Sequence, residues 1–383
     1  MVTRALAAAL IALTACGGTD GDDGVDPTLP VTIDLAAPPA TKLSAYNLFT
    51  WDPAAGFTWN PVDGRVVPYD LNSTLFSDHA IKQRAIYLPP GTAATYEPEE
   101  AFELPVGSVV IKNFLFPADF RAPTEDLTLV ETRLLIRHED GWHPLPYVWD
   151  ADQRDATFKP AGEVRPITFI DESGGSLTAS YLVPQRNQCE SCHARKLTPD
   201  ARATITLIGP KARHLNRRYD YGGAVGAVNQ LDHLTSLGML TGAPPSATVP
   251  ATYDFRPIEA GGVAAIPAAD IDAAARGYLD INCAHCHSPT GVQGITSQLF
   301  LNHDSDDQFR LGVCKRPGSA GGGTGGFEFD IVPGSPDISI LYFRVHTEQV
   351  GAMMPLLGRS LAHTRGAELV RAWIAQMAPV ACE

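Results

Sequence analysis

The stretch "LTLVETRLLIRHEDGWHPLPYVW", residues 127–149, alternates, with Val130, Thr132, Leu134 and Ile136 on one face and Glu131, Arg133 and Arg137 on the other. A period of two is the pattern of a β-strand, and Asp140-Gly141 is a hairpin signal between two of them. "PVGSVVIKNFLF" at 105–116 predicts another strong strand, and prolines punctuate the whole region. Residues 31–184 therefore read as a β-rich, sandwich-like domain whose aromatics, including Trp142, Tyr147 and Trp149, belong to its core. Further on the period changes. In "IPAADIDAAARGYLDIN", Ile271, Ala274, Ala275 and Tyr278 recur at helical spacing behind Pro267. In "HTRGAELVRAWIAQM", Thr364 can cap a helix that buries Leu369, Val370, Trp373, Ile374 and Met377. "AVNQLDHLTSLGML" predicts a helix stopped at Gly238. The expected fold is α+β and multidomain: the β-rich domain, then two mainly α-helical units at 185–262 and 263–383.

The first thirty residues follow neither period. Arg4 precedes the short apolar run "ALAAALIALTA", which ends in Leu13-Thr14-Ala15-Cys16. Such a run is an export signal, too short to span a bilayer. It resembles a bacterial lipoprotein signal, which implies that cleavage leaves Cys16 as the acylated first residue of the mature chain; the alternative is an ordinary signal peptide cut nearby. "GGTDGDDGVDPTLP", residues 17–30, reads as a solvated tether. About 350 residues remain, enough for two or three domains with real cores. The net charge of −14 argues against nucleic acid as a partner, because phosphates need a cationic surface.

Cysteine usage changes the picture most. "NQCESCHARK" at 187–196 and "NCAHCHSPTG" at 282–291 both contain Cys-x-x-Cys-His. Random placement of 7 Cys and 11 His in 383 positions yields about 0.004 such motifs. A shared zinc usually has its pairs within about 15–20 residues, whereas about ninety separate these. A thioredoxin-like dithiol expects a βαβ context and has no use for the histidine. Haem c uses every atom: Cys189 and Cys192, or Cys283 and Cys286, add to two vinyl groups, and His193 or His287 becomes an axial ligand of the iron. With Cys16 set aside, Cys314 and Cys382 remain, a pair that an exported chain can oxidise to a disulfide or carry as two free thiols.

These residues carry a resemblance. The second half is similar to the class I cytochrome c fold, with Cys283, Cys286 and His287 after the first helix and Met354-Pro355 before the last. The mature chain as a whole resembles a family of bacterial di-haem c-type cytochrome lipoproteins without an established reaction. The resemblance rests on "PYDLNSTLFSD", "VGSVVIKNF", "VETRLLI", "NQCESCH", "IGPKARHLN", "NQLDHL", "NCAHCH" and "MMPLLGRS". It implies two covalently bound haem c groups and electron transfer at the cell envelope, between redox proteins that it does not identify.

The sixth iron ligands are less determined. For the second haem the candidate is Met354, which Pro355 restricts to an extended backbone, with Met353, His346 and His363 behind it. For the first, Met239 is the methionine between the two motifs, and its rivals are His214, His233, an open site or a ligand from another domain. Gly277 and Trp373 are expected to meet where the two helices of the second unit cross, as a small residue and an aromatic do in class I cytochromes. An open iron would favour a di-haem peroxidase-like oxidoreductase, and the β-rich domain could also serve binding or sensing. If Cys16 is the anchor, Cys16→Ser releases the protein from the membrane fraction and leaves its cofactor content unchanged; a variant still found in membranes places the anchor elsewhere.

Overall fold

The computed structural model describes residue 26 and residues 28–196, 202–292, 297–318 and 321–383. Cys16 and most of the tether lie outside them. The chain is mixed α/β, built on one six-stranded antiparallel sheet. Its strands are β1 (Val66–Tyr69), β2 (Ile81–Tyr87), β3 (Val109–Pro117), β4 (Leu127–His138), β5 (Gly141–Trp149) and β6 (Ala156–Phe158), adjacent in chain order. A separate hairpin follows, β7 (Glu163–Ile170) and β8 (Ser176–Val183). No helix among the described residues is long and apolar enough to cross a membrane.

What covers the sheet is not a second sheet of matching size. One face carries Ala85, Tyr87, Val109, Ile111, Leu134, Ile136, Leu145 and Tyr147, and packs under Leu43, Tyr46, Leu48, Phe49 and Trp51. The opposite face has two separate clusters. At one end Val67, Tyr69, Ile86 and Val110 pack against Leu207, Leu215, Leu231, Leu234 and Leu240. At the other, Phe114, Phe116 and Val148 pack against Phe169, Ala179, Tyr181 and Val183, contributed by β7 and β8. Between these clusters the face is polar.

The alternation expected for β4 holds from Thr132 onward and fails at Val130. Glu131 pairs with Phe114 while Leu129 pairs with Leu115, so Val130 is the extra residue of a β-bulge. It joins the cluster of Phe114, and Leu129 joins the cluster of Leu134. The hairpin after β4 turns at Glu139 and Asp140.

Three helices carry the C-terminal part: α1 (Ile271–Asn282), α2 (Ile340–His346) and α3 (Thr364–Gln376). Ile271, Ala274, Ala275 and Tyr278 of α1 are buried with Leu369, Val370, Trp373 and Ile374 of α3, as their spacing predicts. Thr364 is the first helical residue rather than the cap, a position that His363 takes. Cys314 and Cys382 are joined by a disulfide that ties the chain end to the loop after Leu311.

The helix contact differs from expectation. Gly277 faces Thr252 and Ser73, and Trp373 donates its indole N–H to Asp272 at 2.7 Å. The close approach of α1 and α3 uses the reverse pairing, with Gly366 of α3 against the Tyr278 ring of α1. The expected pairing fails because Trp373 lies about two turns beyond Gly366, near the start of α1 rather than its middle. A Cβ at Gly366 would fall inside the buried Tyr278 ring, whose hydroxyl lies 3.2 Å from His363 Nδ1. Gly366→Ala should therefore destabilise the protein by about 1–3 kcal/mol through overpacking, and by more than Gly277→Ala. Denaturant melts of the two variants check this; equal midpoints would place the close approach elsewhere.

Candidate functional site

The polar band of the sheet is a row of cations. Tyr69, Arg84, Lys112 and Arg133 pair across β1, β2, β3 and β4, so their side chains share one face, and Pro146 continues the row on β5. Lys82 sits on the same face of β2, paired with Phe114. Anions do not match these charges. Arg133 is held by Glu131 through contacts of 2.6 and 2.9 Å, and Glu131 also accepts from the Tyr181 hydroxyl at 2.7 Å. Arg84 lies 3.7 Å from Asp70, which is already bound by Arg217 at 2.7 Å. Among the described residues Lys112 makes no ion pair; its ammonium sits 5.1 Å over the Phe114 ring. Burial and the neighbouring Arg84 and Lys82 charges push its pKa well below the ordinary value.

The row forms one wall of a large cavity, with about 1470 Å³ of non-atom space including its mouth. Apolar walls come from Phe114, Leu135 and Ile208, and Cys189, Cys192 and His193 also line the cavity. Arg84 Nη1 and Nη2, Ser77 Oγ and His285 Nδ1 line the cavity region as buried atoms without hydrogen-bond partners. Buried polar atoms of this kind ordinarily have partners, so these fit a ligand that brings its own acceptors.

The first motif enters directly from β8. A short turn, Arg186–Cys189, leads into a single helical turn, Glu190–His193. His193 Nδ1 lies 2.7 Å from the Thr206 carbonyl, which can only accept, so Nδ1 carries the proton and Nε2 is left free. That is the tautomer a metal-bound imidazole needs. Burial, the largest influence, pushes the His193 pKa down and favours the neutral ring.

The second motif closes α1. Burial pushes His287 down to about 4, and its Nδ1 lies 3.3 Å from Ser297 Oγ. The loop that carries Met353 and Met354 is held by Arg359, which donates to the carbonyls of Met354, Leu361, Arg344 and Thr347 at 2.9–3.0 Å. The Arg359 charge also acts on the Cys283 thiol, and that of Arg344 acts on His287, so the loop stands beside the second motif. Within "MMPLLGRS" the sequence pointed to the methionines; the residue that shapes the loop is the arginine.

The two motifs meet. Cys286 Sγ lies 3.9 Å from the Ser191 carbonyl, between the two cysteines of the first motif. Arg195 donates to the Thr290 carbonyl at 2.7 Å and pairs with Glu100. Ile281 and His285 from the second motif's side, with Pro355, Leu357 and Gly358 from the methionine loop, complete the cavity beside the first.

Other candidate ligands are placed elsewhere. Met239 is buried among Leu234, Leu240 and Val67, away from the cavity lining. His214 has both ring nitrogens engaged, by Asp280 at 2.9 Å and Thr252 at 3.1 Å. His233 packs on Tyr221 with ring centroids 3.9 Å apart. His363 is buried between Tyr278 and Glu259, whereas His346 is exposed. The motif cysteines and histidines form no three-ligand cluster among the described residues. Comparison of the chain with protein-family models, curated proteins and solved structures finds no match.

Asp280, one turn before Cys283, fastens α1 to the segment after the first motif. It meets His214 Nε2 at 2.9 Å, Arg213 Nη1 at 3.5 Å and Lys211 Nζ at 3.8 Å. Against the opposing cost of burial, these partners depress its pKa. A depressed carboxylate contributes stability that is present above its unfolded value, about 3.9, and is lost as pH falls through the folded value. Asp280→Asn strands buried cations and should cost about 3–5 kcal/mol at neutral pH. The gap between variant and parent should narrow below about pH 4. Urea melts across pH check both; a gap independent of pH would remove Asp280 from the clamp.

Proposed function

We propose that the chain is a lipid-anchored di-haem c-type cytochrome of the bacterial cell envelope, which passes electrons between redox proteins. The observation that carries this reading is the cavity beside Cys189, Cys192 and His193, with its apolar walls, oriented imidazole and unmatched cations. Those features answer the needs of haem c: thiols for two vinyl groups, a ring nitrogen for the iron, apolar surface for the macrocycle and positive charge for two propionates. Bound haem c supplies a one-electron couple.

The chain's own residues do the rest. Thr206 holds the His193 tautomer with Nε2 free. Arg84 and Lys112 offer N–H donors to carboxylates, while Glu131 keeps Arg133 in place. Phe114, Leu135 and Ile208 exclude water. At the second motif Cys283, Cys286 and His287 take the same roles, and Met354 is the proposed sixth ligand, on a loop that Arg359 holds. Because Cys286 Sγ lies 3.9 Å from the carbonyl of Ser191, inside the first motif, groups attached at the two motifs would be neighbours. Met239 is not proposed as a ligand of the first haem, because it is committed to the core. Cys16 is the proposed anchor, on its signal alone.

A redox titration tests the reading. Two one-electron steps are expected, and Lys112→Met should lower the potential of one of them, because an ammonium at Lys112 near a bound haem's carboxylates would favour the more negative reduced state. Two unshifted steps would detach Lys112 from the site. Peroxide turnover by a five-coordinate iron would replace the carrier with a peroxidase-like enzyme.

A further inference from the structure

The tip of the β4–β5 hairpin holds a second constellation that the haem reading does not use. Only Glu139 and Asp140 lie between the two strands, and the register pairs His138 with Gly141 and Ile136 with His143. His138 and His143 are therefore diagonal neighbours on one face, held there by a turn too short to slip. Their rings stack with centroids 3.8 Å apart and an interplanar angle of 15°. Asp140 reaches back over the turn, its Oδ1 3.0 Å from His143 Nε2. One donor atom from each of the three residues lies within 4.8 Å of the others.

We propose that His138, Asp140 and His143 bind one divalent cation of the zinc class. Two imidazoles and a carboxylate are a donor set that suits such an ion, with a fourth position left open. Tetrahedral zinc holds its ligand atoms about 3.3 Å apart, so the donors need only a small inward rotation, and Asp140, at the exposed tip, is free to make it. Burial, and then the neighbouring His143, holds the His138 pKa below its usual value. The other charges nearby are Glu139 in the turn, Arg186 from the segment before the first motif and Arg137. Arg137 points to the opposite face, its guanidinium 5.9 Å from the Trp142 ring centroid. The ion would staple the ends of the strands that carry Arg133 and Pro146, and so brace the cavity wall.

The test is a calorimetric titration of the purified full-length protein with zinc chloride in a non-coordinating buffer. One ion per chain is expected near pH 7.5. His138→Ala and His143→Ala should each weaken binding by about tenfold or more, and His303→Ala, which alters a distant His–Asp pair, should not. Circular dichroism confirms that the variants are folded. Zinc affinity unchanged in both hairpin variants, or no binding at roughly millimolar zinc, overturns the proposal. Free motif thiols would also take up zinc, so they are alkylated before the titration wherever haem does not occupy them, and the hairpin variants then report this site alone.

Discussion

Three like charges drawn up side by side across neighbouring strands, on a face that is not open solvent, are the constraint from which the rest of this structure follows. Arg84, Lys112 and Arg133 repel one another along the sheet, and only Arg133 has a carboxylate to itself. The arrangement survives because the sheet is fixed elsewhere: the cluster around Leu48 and Tyr147 holds one face, and two separate clusters hold the ends of the other. Hydrophobic burial in those places offsets the charge row between them. A cavity lined by basic side chains and apolar rings, with the thiols of the first motif beside them, suits the proposed haem, a mostly apolar dianion.

The second organising contact joins the two Cys-x-x-Cys-His segments, which are about ninety residues apart in the chain. Arg195 reaches Thr290, Cys286 reaches the Ser191 carbonyl, and Asp280 clamps the residues after the first motif to the helix before the second. The first motif has no preceding helix of its own, so its surroundings come from the sheet, from Ile281 and His285, and from the loop of Met354. Whatever binds there is shared between parts of the chain that the sequence suggests are separate.

The elements with a clear period were legible in the sequence. β4 and β5, α1 with its Ile271–Tyr278 stripe, and α3 with Leu369, Val370 and Trp373 all form where their patterns place them. What the pattern left out depends on long-range packing. The charged face of β4 looks like a solvent face in sequence, yet Glu131 is fully buried. The bulge at Val130 has no local signal, and Gly366 rather than Gly277 takes the close approach because the crossing is set by how α1 and α3 rotate against each other. Met239 stood out by being the methionine between the motifs, but its place follows from Leu234 and Leu240 beside it. The motif thiols and imidazoles were plain from spacing; the cation row was not, because its members lie on three strands.

The account depends above all on what the motif thiols carry. Peptide mass mapping of protein matured in a host that attaches haem c measures this directly. One haem mass is expected on the peptide with Cys189 and Cys192, and another on the peptide with Cys283 and Cys286. Unmodified thiols, or a disulfide between the neighbouring Cys192 and Cys286, would contradict it.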